Sequence, residues 1–251
     1  MKIIQLTLII ALAALLNACK KNSNDMPATT IKLKYLTQQI QVDSNNLGTR
    51  TTIYNYTYDY KKRLILLKSG NNETDYTYND AGNVYSTTFT STVATPDKII
   101  REFTYADGKV STAVERRYTK NNLVATNNYG FVYSGGQLTE VHASGDSANG
   151  INLYYYDSNN NIIKTDLNTI NLVTNITYDN KKSRYTNEQQ TLKNAAFSSP
   201  ESRSPNNTVS ITNVNGTQTY NYTYDGDGYP TARILTLSKQ TVKYAYTYTE
   251  F

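Results

Sequence analysis

The chain has 251 residues, a formal net charge of +5, one cysteine, one histidine and no tryptophan. A lone cysteine cannot form an intramolecular disulfide, and one histidine with one cysteine falls short of a zinc site. The basic residues are dispersed, with short runs only at Lys61-Lys62-Arg63 and Lys181-Lys182, so no concentrated face for nucleic acid is expected. The compositional outlier is tyrosine, 24 residues against 5 phenylalanines, which together with abundant threonine suits pleated, half-buried strands.

In chain order, Lys2 precedes an almost unbroken apolar run from Ile3 to Leu16, closed by Leu16-Asn17-Ala18-Cys19. The run is shorter than the roughly 20 residues a helix needs to cross a bilayer, and a small residue stands before the cysteine. The segment resembles a bacterial lipoprotein signal peptide with its lipobox. That resemblance implies that residues 1–18 are removed and that Cys19 carries acyl chains, making the membrane a partner. It places the protein in the cell envelope, at the outer membrane, on its periplasmic face or the cell surface. Residues 19–30 then comprise the lipidated cysteine and a polar tether, too poor in apolar surface to fold.

Residues 31–251 read as one β-meander domain. A strand ending in tyrosine meets a turn rich in Asn, Asp, Gly and Lys, and an aliphatic residue opens the next strand. The clearest units start at Tyr58, Tyr78, Tyr105, Tyr133, Tyr156, Tyr178 and Tyr224. Their spacing is roughly 20–28 residues, apart from one gap about twice as long, which marks a repeat architecture. Asn213-Val214-Asn215-Gly216 supplies a further hairpin turn inside that gap. Trios such as Tyr54, Tyr56, Tyr58 and Tyr244, Tyr246, Tyr248 alternate with period two, so each occupies one face of a strand. Asp-Gly and Asn-Gly elements supply the positive φ of tight hairpins. No segment carries a helical apolar stripe, Ser183 to Asn194 coming nearest. The expected fold is therefore all-β, an antiparallel meander of repeated hairpins, curled or barrel-like because so many strands cannot remain one flat sheet.

The pattern at Tyr78-Asn79-Asp80-Ala81-Gly82-Asn83-Val84 resembles the YD repeat of Rhs-type proteins, whose repeats wind into a β-shell around a cargo. Glycine is missing from the turns at Lys61, Asn160 and Lys181. Lipobox and YD-like hairpins together resemble small uncharacterised Bacteroidetes lipoproteins, whose families imply a curled, porin-like meander outside the bilayer. A spanning barrel fits less well. Counting back from Phe251 in steps of two gives Thr249, Thr247, Ala245 and Lys243, which is not a lipid-facing band.

Few residues offer chemistry. His142 lies in a plain strand without a nucleophile elbow, so no catalytic residue is assigned. Asp59, Asp80, Asp107, Asp157, Asp179 and Asp225 are read as recurring at one place in successive turns, where their side chains bond the turn backbone. Asp225 and Asp227 offer hard oxygens, but without an EF-hand's downstream glutamate they are only weak calcium candidates, and no metal is assigned. Tyr154, Tyr155 and Tyr156 are the candidate ligand-binding residues. Adjacent members must point to opposite faces, and a subset could stack on a sugar or a protein. Asp146-Ser147-Ala148 resembles the O-glycosylation site of exported Bacteroidetes proteins, which marks Ser147. No cofactor motif is present. The function expected is non-catalytic binding or scaffolding, with a saccharide or protein partner. Two alternatives stand beside it: a glycan-acting hydrolase with paired carboxylates, and a YD-type shell fragment that needs a partner chain to close.

Overall fold

The computed structural model describes residues 33–168, 170–188, 199–237 and 240–251. The segments read from sequence as a signal peptide and a tether, with Cys19, lie outside the described residues. The first strands are β1 (Lys34–Asn45), β2 (Gly48–Tyr58), β3 (Leu64–Ser69), β4 (Asn72–Tyr78) and β5 (Val84–Ser91). They continue as β6 (Lys98–Ala106), β7 (Lys109–Thr119), β8 (Asn122–Ser134), β9 (Gln137–Gly145) and β10 (Gly150–Tyr156). Next come β11 (Ile162–Leu167), β12 (Leu172–Lys182) and a single helical turn α1 (Pro200–Arg203). The chain ends with β13 (Asn206–Asn213), β14 (Gly216–Tyr224), β15 (Pro230–Leu237) and β16 (Gln240–Glu250).

Each strand pairs antiparallel with its sequence neighbours, and β1 pairs with β16 from Lys34↔Glu250 to Asn45↔Gln240. The meander thus closes on itself as a barrel, which removes the sheet's edges. The shell-fragment expectation is corrected on this point: closure is complete within one chain, and no edge strand waits for a partner. The sequence left the degree of curling open because closure depends on the register between two strands about 200 residues apart in the chain, and no local pattern encodes it.

The connections after β2, β4, β10 and β14 share one construction, whereas those after β6 and β8 are two-residue turns. In the turn after β2, Asp59 Oδ1 accepts the backbone N–H groups of Lys61 and Arg63, both at 2.9 Å. Asp157 holds Asn159 and Asn161 in the same way, and Asp225 holds Asp227 and Tyr229. After β4 the role falls to Asn79, which accepts from Asn83 at 3.0 Å, so the expectation that placed Asp80 here is one residue late; Asp107 sits instead in a two-residue hairpin between Ala106 and Lys109. The left-handed position of the turn is Gly82 or Gly228 in two repeats and Lys62 or Asn160 in two others. The glycine-poor turns are therefore the same turn with a side chain at positive φ, which costs about 1–2 kcal/mol each.

A bulge accompanies each of these turns. The ladder register shifts at Thr57/Tyr58, Thr77/Tyr78, Thr104/Tyr105, Val132/Tyr133, Tyr155/Tyr156 and Thr223/Tyr224. A bulge disrupts pairing locally and re-aims side chains. Here it lets the tyrosine and the strand-opening aliphatic residue both point inward. The inward aliphatics Leu64, Val84, Val110, Leu138 and Ile162 are buried with Phe103, Phe131, Val141 and Tyr154 in one apolar cluster.

The freed backbone carbonyls are claimed by tyrosine hydroxyls from the next repeat. Tyr58 donates to Leu36 O at 2.9 Å, Tyr78 to Leu64 O at 2.6 Å and Tyr105 to Val84 O at 2.7 Å. Tyr156, Tyr178, Tyr222 and Tyr248 donate likewise to Leu138, Ile162, Thr208 and Pro230. This explains why tyrosine rather than phenylalanine fills the interior: the ring supplies buried area and the hydroxyl satisfies a buried carbonyl.

The outer face mixes polar residues with exposed apolar ones such as Ile53, Val132, Ile151, Val173 and Ile234. Neighbouring strands present hydroxyl pairs there, including Thr77 with Ser86, Thr104 with Thr112, Thr177 with Ser210 and Thr212 with Thr217. Ion pairs Arg116–Glu102 and Lys68–Glu73 also lie outside. An outward Arg or Lys would cost about 2–4 kcal/mol at a bilayer midplane, so these charged positions favour water. Phe251 packs against Tyr35, ring centroids 5.3 Å apart, rather than presenting itself to lipid.

Candidate functional site

The long connection between β12 and β13, residues 183–205, departs from the hairpin plan. Its described parts fold into the lumen. Arg184 is buried and bonds both oxygens of Glu201, at 2.9 and 3.1 Å. Arg233 on β15 bonds the same carboxylate, so one acid answers two buried arginines. The guanidinium of Arg233 lies 4.0 Å from the Tyr244 ring centroid and 4.8 Å from that of Tyr220, and Arg184 donates to the Tyr246 hydroxyl at 3.0 Å. Elsewhere the connection reaches other walls. Asn187 donates to Lys34 O and to the Tyr229 hydroxyl, and Ser204 Oγ donates to the Tyr178 hydroxyl while accepting from Ile162 N–H. The turn end of the lumen is thus filled by the protein's own chain.

A second acid, this one buried, stands on the opposite wall. Glu115 on β7 is bonded by Arg101 at 2.6 Å and Arg117 at 2.7 Å, and Asn127 Nδ2 adds a bond at 3.1 Å. Burial opposes its charge, yet the two guanidinium groups and Asn127 outweigh burial and hold the carboxyl below its ordinary 4.5. The same balance lowers Glu201, where burial is opposed by Arg184 and Arg233. Both acids stay ionised and fully engaged, and neither is poised to give up a proton near neutrality. Neither was singled out from the sequence. In Arg116-Arg117 and Glu201-Ser202-Arg203 nothing local separates an inward charge from a solvated one.

At the other end the lumen is open. A cavity of about 890 Å³ is lined by Gln41, Asp43, Arg50, Tyr54, Asn72 and Phe89. The register places these on the inward face of β1, β2, β4 and β5. Gln41 Nε2 lies 3.1 Å from each Asp43 oxygen. Aromatic faces beside amide, carboxylate and guanidinium groups can take a polar ligand with apolar ring faces. Of the sequence motifs, only the Tyr54-Tyr56-Tyr58 alternation bears on this wall.

The residues proposed from sequence fall elsewhere. Tyr154 and Tyr156 point into the filled part of the lumen. Arg203 stacks on Tyr154 at 4.5 Å and donates to the Tyr156 hydroxyl at 2.6 Å, while Tyr155 faces outward under Lys164. The three form no common surface. Asp225 and Asp227 hold the ammonium of Lys34 between them, at 2.8 and 2.6 Å, so a side-chain cation takes the place between the two carboxylates. Burial disfavours the Asp225 charge, but Lys34 and the backbone N–H groups of Tyr229 and Asp227 overcome it and lower its pKa. His142 lies on the outer face of β9 with Nε2 2.7 Å from Glu140.

Ser147 is exposed in the β9–β10 loop, its Oγ accepting from Asn127 Nδ2 at 2.9 Å. That loop is folded tightly on β8. Gly145 has φ +149°, and a Cβ there would meet Thr126 O at 2.3 Å.

The fold and lumen define a class: a sixteen-stranded antiparallel β-barrel, plugged internally at one end. Among solved structures, a porin-like protein from Bacteroides uniformis shares this fold with a TM-score of 0.55 and 15% identity, over 85% of this chain and 96% of that one. A porin-like protein from Bacteroides vulgatus matches with a TM-score of 0.52 and 12% identity, over 86% and 99%. No protein-family model matches the sequence, and no curated protein matches it significantly. At these identities the likeness is one of fold.

Proposed function

We propose that this protein is a lipid-anchored component of the cell envelope that binds a saccharide in the open half of its barrel and catalyses no reaction. The observation that carries the reading is the 890 Å³ cavity in which Tyr54 and Phe89 stand among Gln41, Asp43, Arg50 and Asn72. Support against the hydrolase alternative comes from the acids of the lumen. Glycoside hydrolysis asks for one carboxylic acid of raised pKa facing a second across a cleft. Glu115 and Glu201 are instead lowered and each is bound by two arginines. Asp75 is raised, by burial and by Glu73, but it shares the outer face of β4 with Glu73 rather than facing it across a cleft. Anchoring is proposed from the lipobox and Cys19, with the YD-like repeat supplying the hairpins.

The test is a glycan array probed with the full chain in detergent, followed by titration of the retained glycans. Wild type should retain a defined set, and Tyr54→Ala should weaken them by about tenfold or more, since one aromatic stacking face is lost. Retention that is indifferent to Tyr54→Ala and Arg50→Ala, or no retention at all, would sink the saccharide reading and turn attention to a protein partner. Anchoring is read separately: palmitate labelling and membrane fractionation should be lost in Cys19→Ala.

A further inference from the structure

We infer a second site, at the plugged end, that takes a single oxyanion group through Arg203, Lys109 and the Tyr133 hydroxyl. It lies at the opposite end of the lumen from the saccharide cavity and does not depend on that reading.

The first observation is an unbalanced charge. Arg203 at the end of α1 is only 8% exposed. Arg184 and Arg233 share Glu201, Arg101 and Arg117 share Glu115, and Arg63 has Asp59. Among the described residues Arg203 has no such carboxylate. Its Nη2 is spent on neutral acceptors, the Tyr156 hydroxyl at 2.6 Å and Leu138 O at 3.3 Å, and its Nη1 has no hydrogen-bond partner. An unpaired buried cation is costly unless a counter-charge meets it.

The second observation is the break in the tyrosine series. Seven tyrosines, from Tyr58 to Tyr248, donate to a strand carbonyl of a neighbouring repeat, but the Tyr133 hydroxyl is buried without a partner. Tyr133 is close enough to feel the Arg203 charge: burial pushes its pKa up to about 12, with Arg203 pulling the other way. Two orphaned donors therefore stand together, and both need an acceptor.

The third observation joins them. Tyr133, Arg203 and Lys109 line one cavity of about 370 Å³, floored by the Gly135-Gly136 turn, and no acidic residue among the described residues lines it. Lys109 is exposed, with its ammonium 5.3 Å from the Tyr133 ring centroid. Two cations and a hydroxyl donor around an acid-free cavity select a negatively charged acceptor over water. The group is a carboxylate, sulfate or phosphate borne by a larger molecule or free in solution.

The experiment is calorimetric titration of the full chain in detergent with sodium sulfate, phosphate, acetate and glucuronate, each against sodium chloride at equal ionic strength. Sulfate raises melting temperatures non-specifically, so saturable heat is the readout. Saturable binding of at least one oxyanion is expected. Sulfate or phosphate alone would indicate a tetrahedral group, and acetate or glucuronate alone a carboxylate. Tyr133→Phe should weaken binding by about tenfold, one hydrogen bond to a charged group. Lys109→Gln changes an exposed residue and keeps the test valid if Arg203→Gln does not fold; it should weaken binding several-fold. No saturable binding of any oxyanion, a response equalled by chloride, or affinity unchanged in Lys109→Gln and Tyr133→Phe would overturn the inference.

Discussion

The two ends of this barrel are made from the same strands and held by different forces. At the plugged end, bulged strands, tyrosine hydroxyls and the described parts of the 183–205 connection occupy the lumen, and most inward polar groups there have partners, with Tyr133 Oη and Arg203 Nη1 among the exceptions. At the other end short hairpins such as Asn45–Gly48 and Asn213–Gly216 turn directly, Leu47 and Val214 stand in solvent, and a cavity remains. The difference teaches that closing a wide barrel does not fill it. Inward side chains suffice near a small barrel's axis, whereas here an extra segment is needed to occupy the interior. Filling one end supplies stability, and the end left open is where a ligand has room.

The sharpest way to break the contrast is at Glu201. Glu201→Ala leaves Arg184 and Arg233 buried without their shared anion, and removing one partner from a buried ionic cluster costs about 3–5 kcal/mol. A matching drop in the urea midpoint is expected, and a drop below about 1 kcal/mol would show that the plug does not hold that end.

Acid should act on the same groups. Glu115 and Glu201 have folded pKa values below the ordinary 4.5, so the unfolded chain binds protons first as pH falls. Their contribution is complete above pH 4.5 and disappears as pH drops through the folded values. Urea midpoints measured from neutrality downward should hold until that point and then decline. The decline should be shallower in Glu201→Ala.

A finer test separates the tyrosines. Tyr105→Phe removes the donor to Val84 O and strands a buried carbonyl, for a loss of roughly 1–2 kcal/mol. Tyr133→Phe removes a hydroxyl that satisfies nothing, so its stability without ligand should stay within about 0.5 kcal/mol of wild type. Equal losses in the two variants would refute the role of the tyrosine hydroxyls in satisfying strand carbonyls. The smallest effect belongs to the open end. Leu47→Asn, at a residue 91% exposed, should move stability by less than about 0.5 kcal/mol.

Much of the strand plan was legible because it is local. Tyr-x-Tyr alternation fixes which residues share a face, and Asp59, Asp157 and Asp225 announce a turn by the backbone groups they bind. Even there, Asn79 replaced the expected Asp80, since an amide oxygen accepts the same N–H as a carboxylate oxygen. The candidate sites were less legible. The alternation of Tyr154, Tyr155 and Tyr156 between faces was legible, but that Arg203 covers the inward pair was not. Asp225 and Asp227 look like a cation site until Lys34, nearly 200 residues earlier, fills it.

The sequence by itself determined an all-β chain of repeated tyrosine hairpins, because period-two patterning and turn chemistry act over a few residues. Tertiary structure alone decided that β1 meets β16, that the described parts of the β12–β13 connection turn inward, and that Glu115 and Arg203 are buried and Glu201 half-buried. Those outcomes depend on groups brought together from distant repeats. There the cost of burying a charge is settled by whether a partner stands on the facing wall, and no local pattern records that.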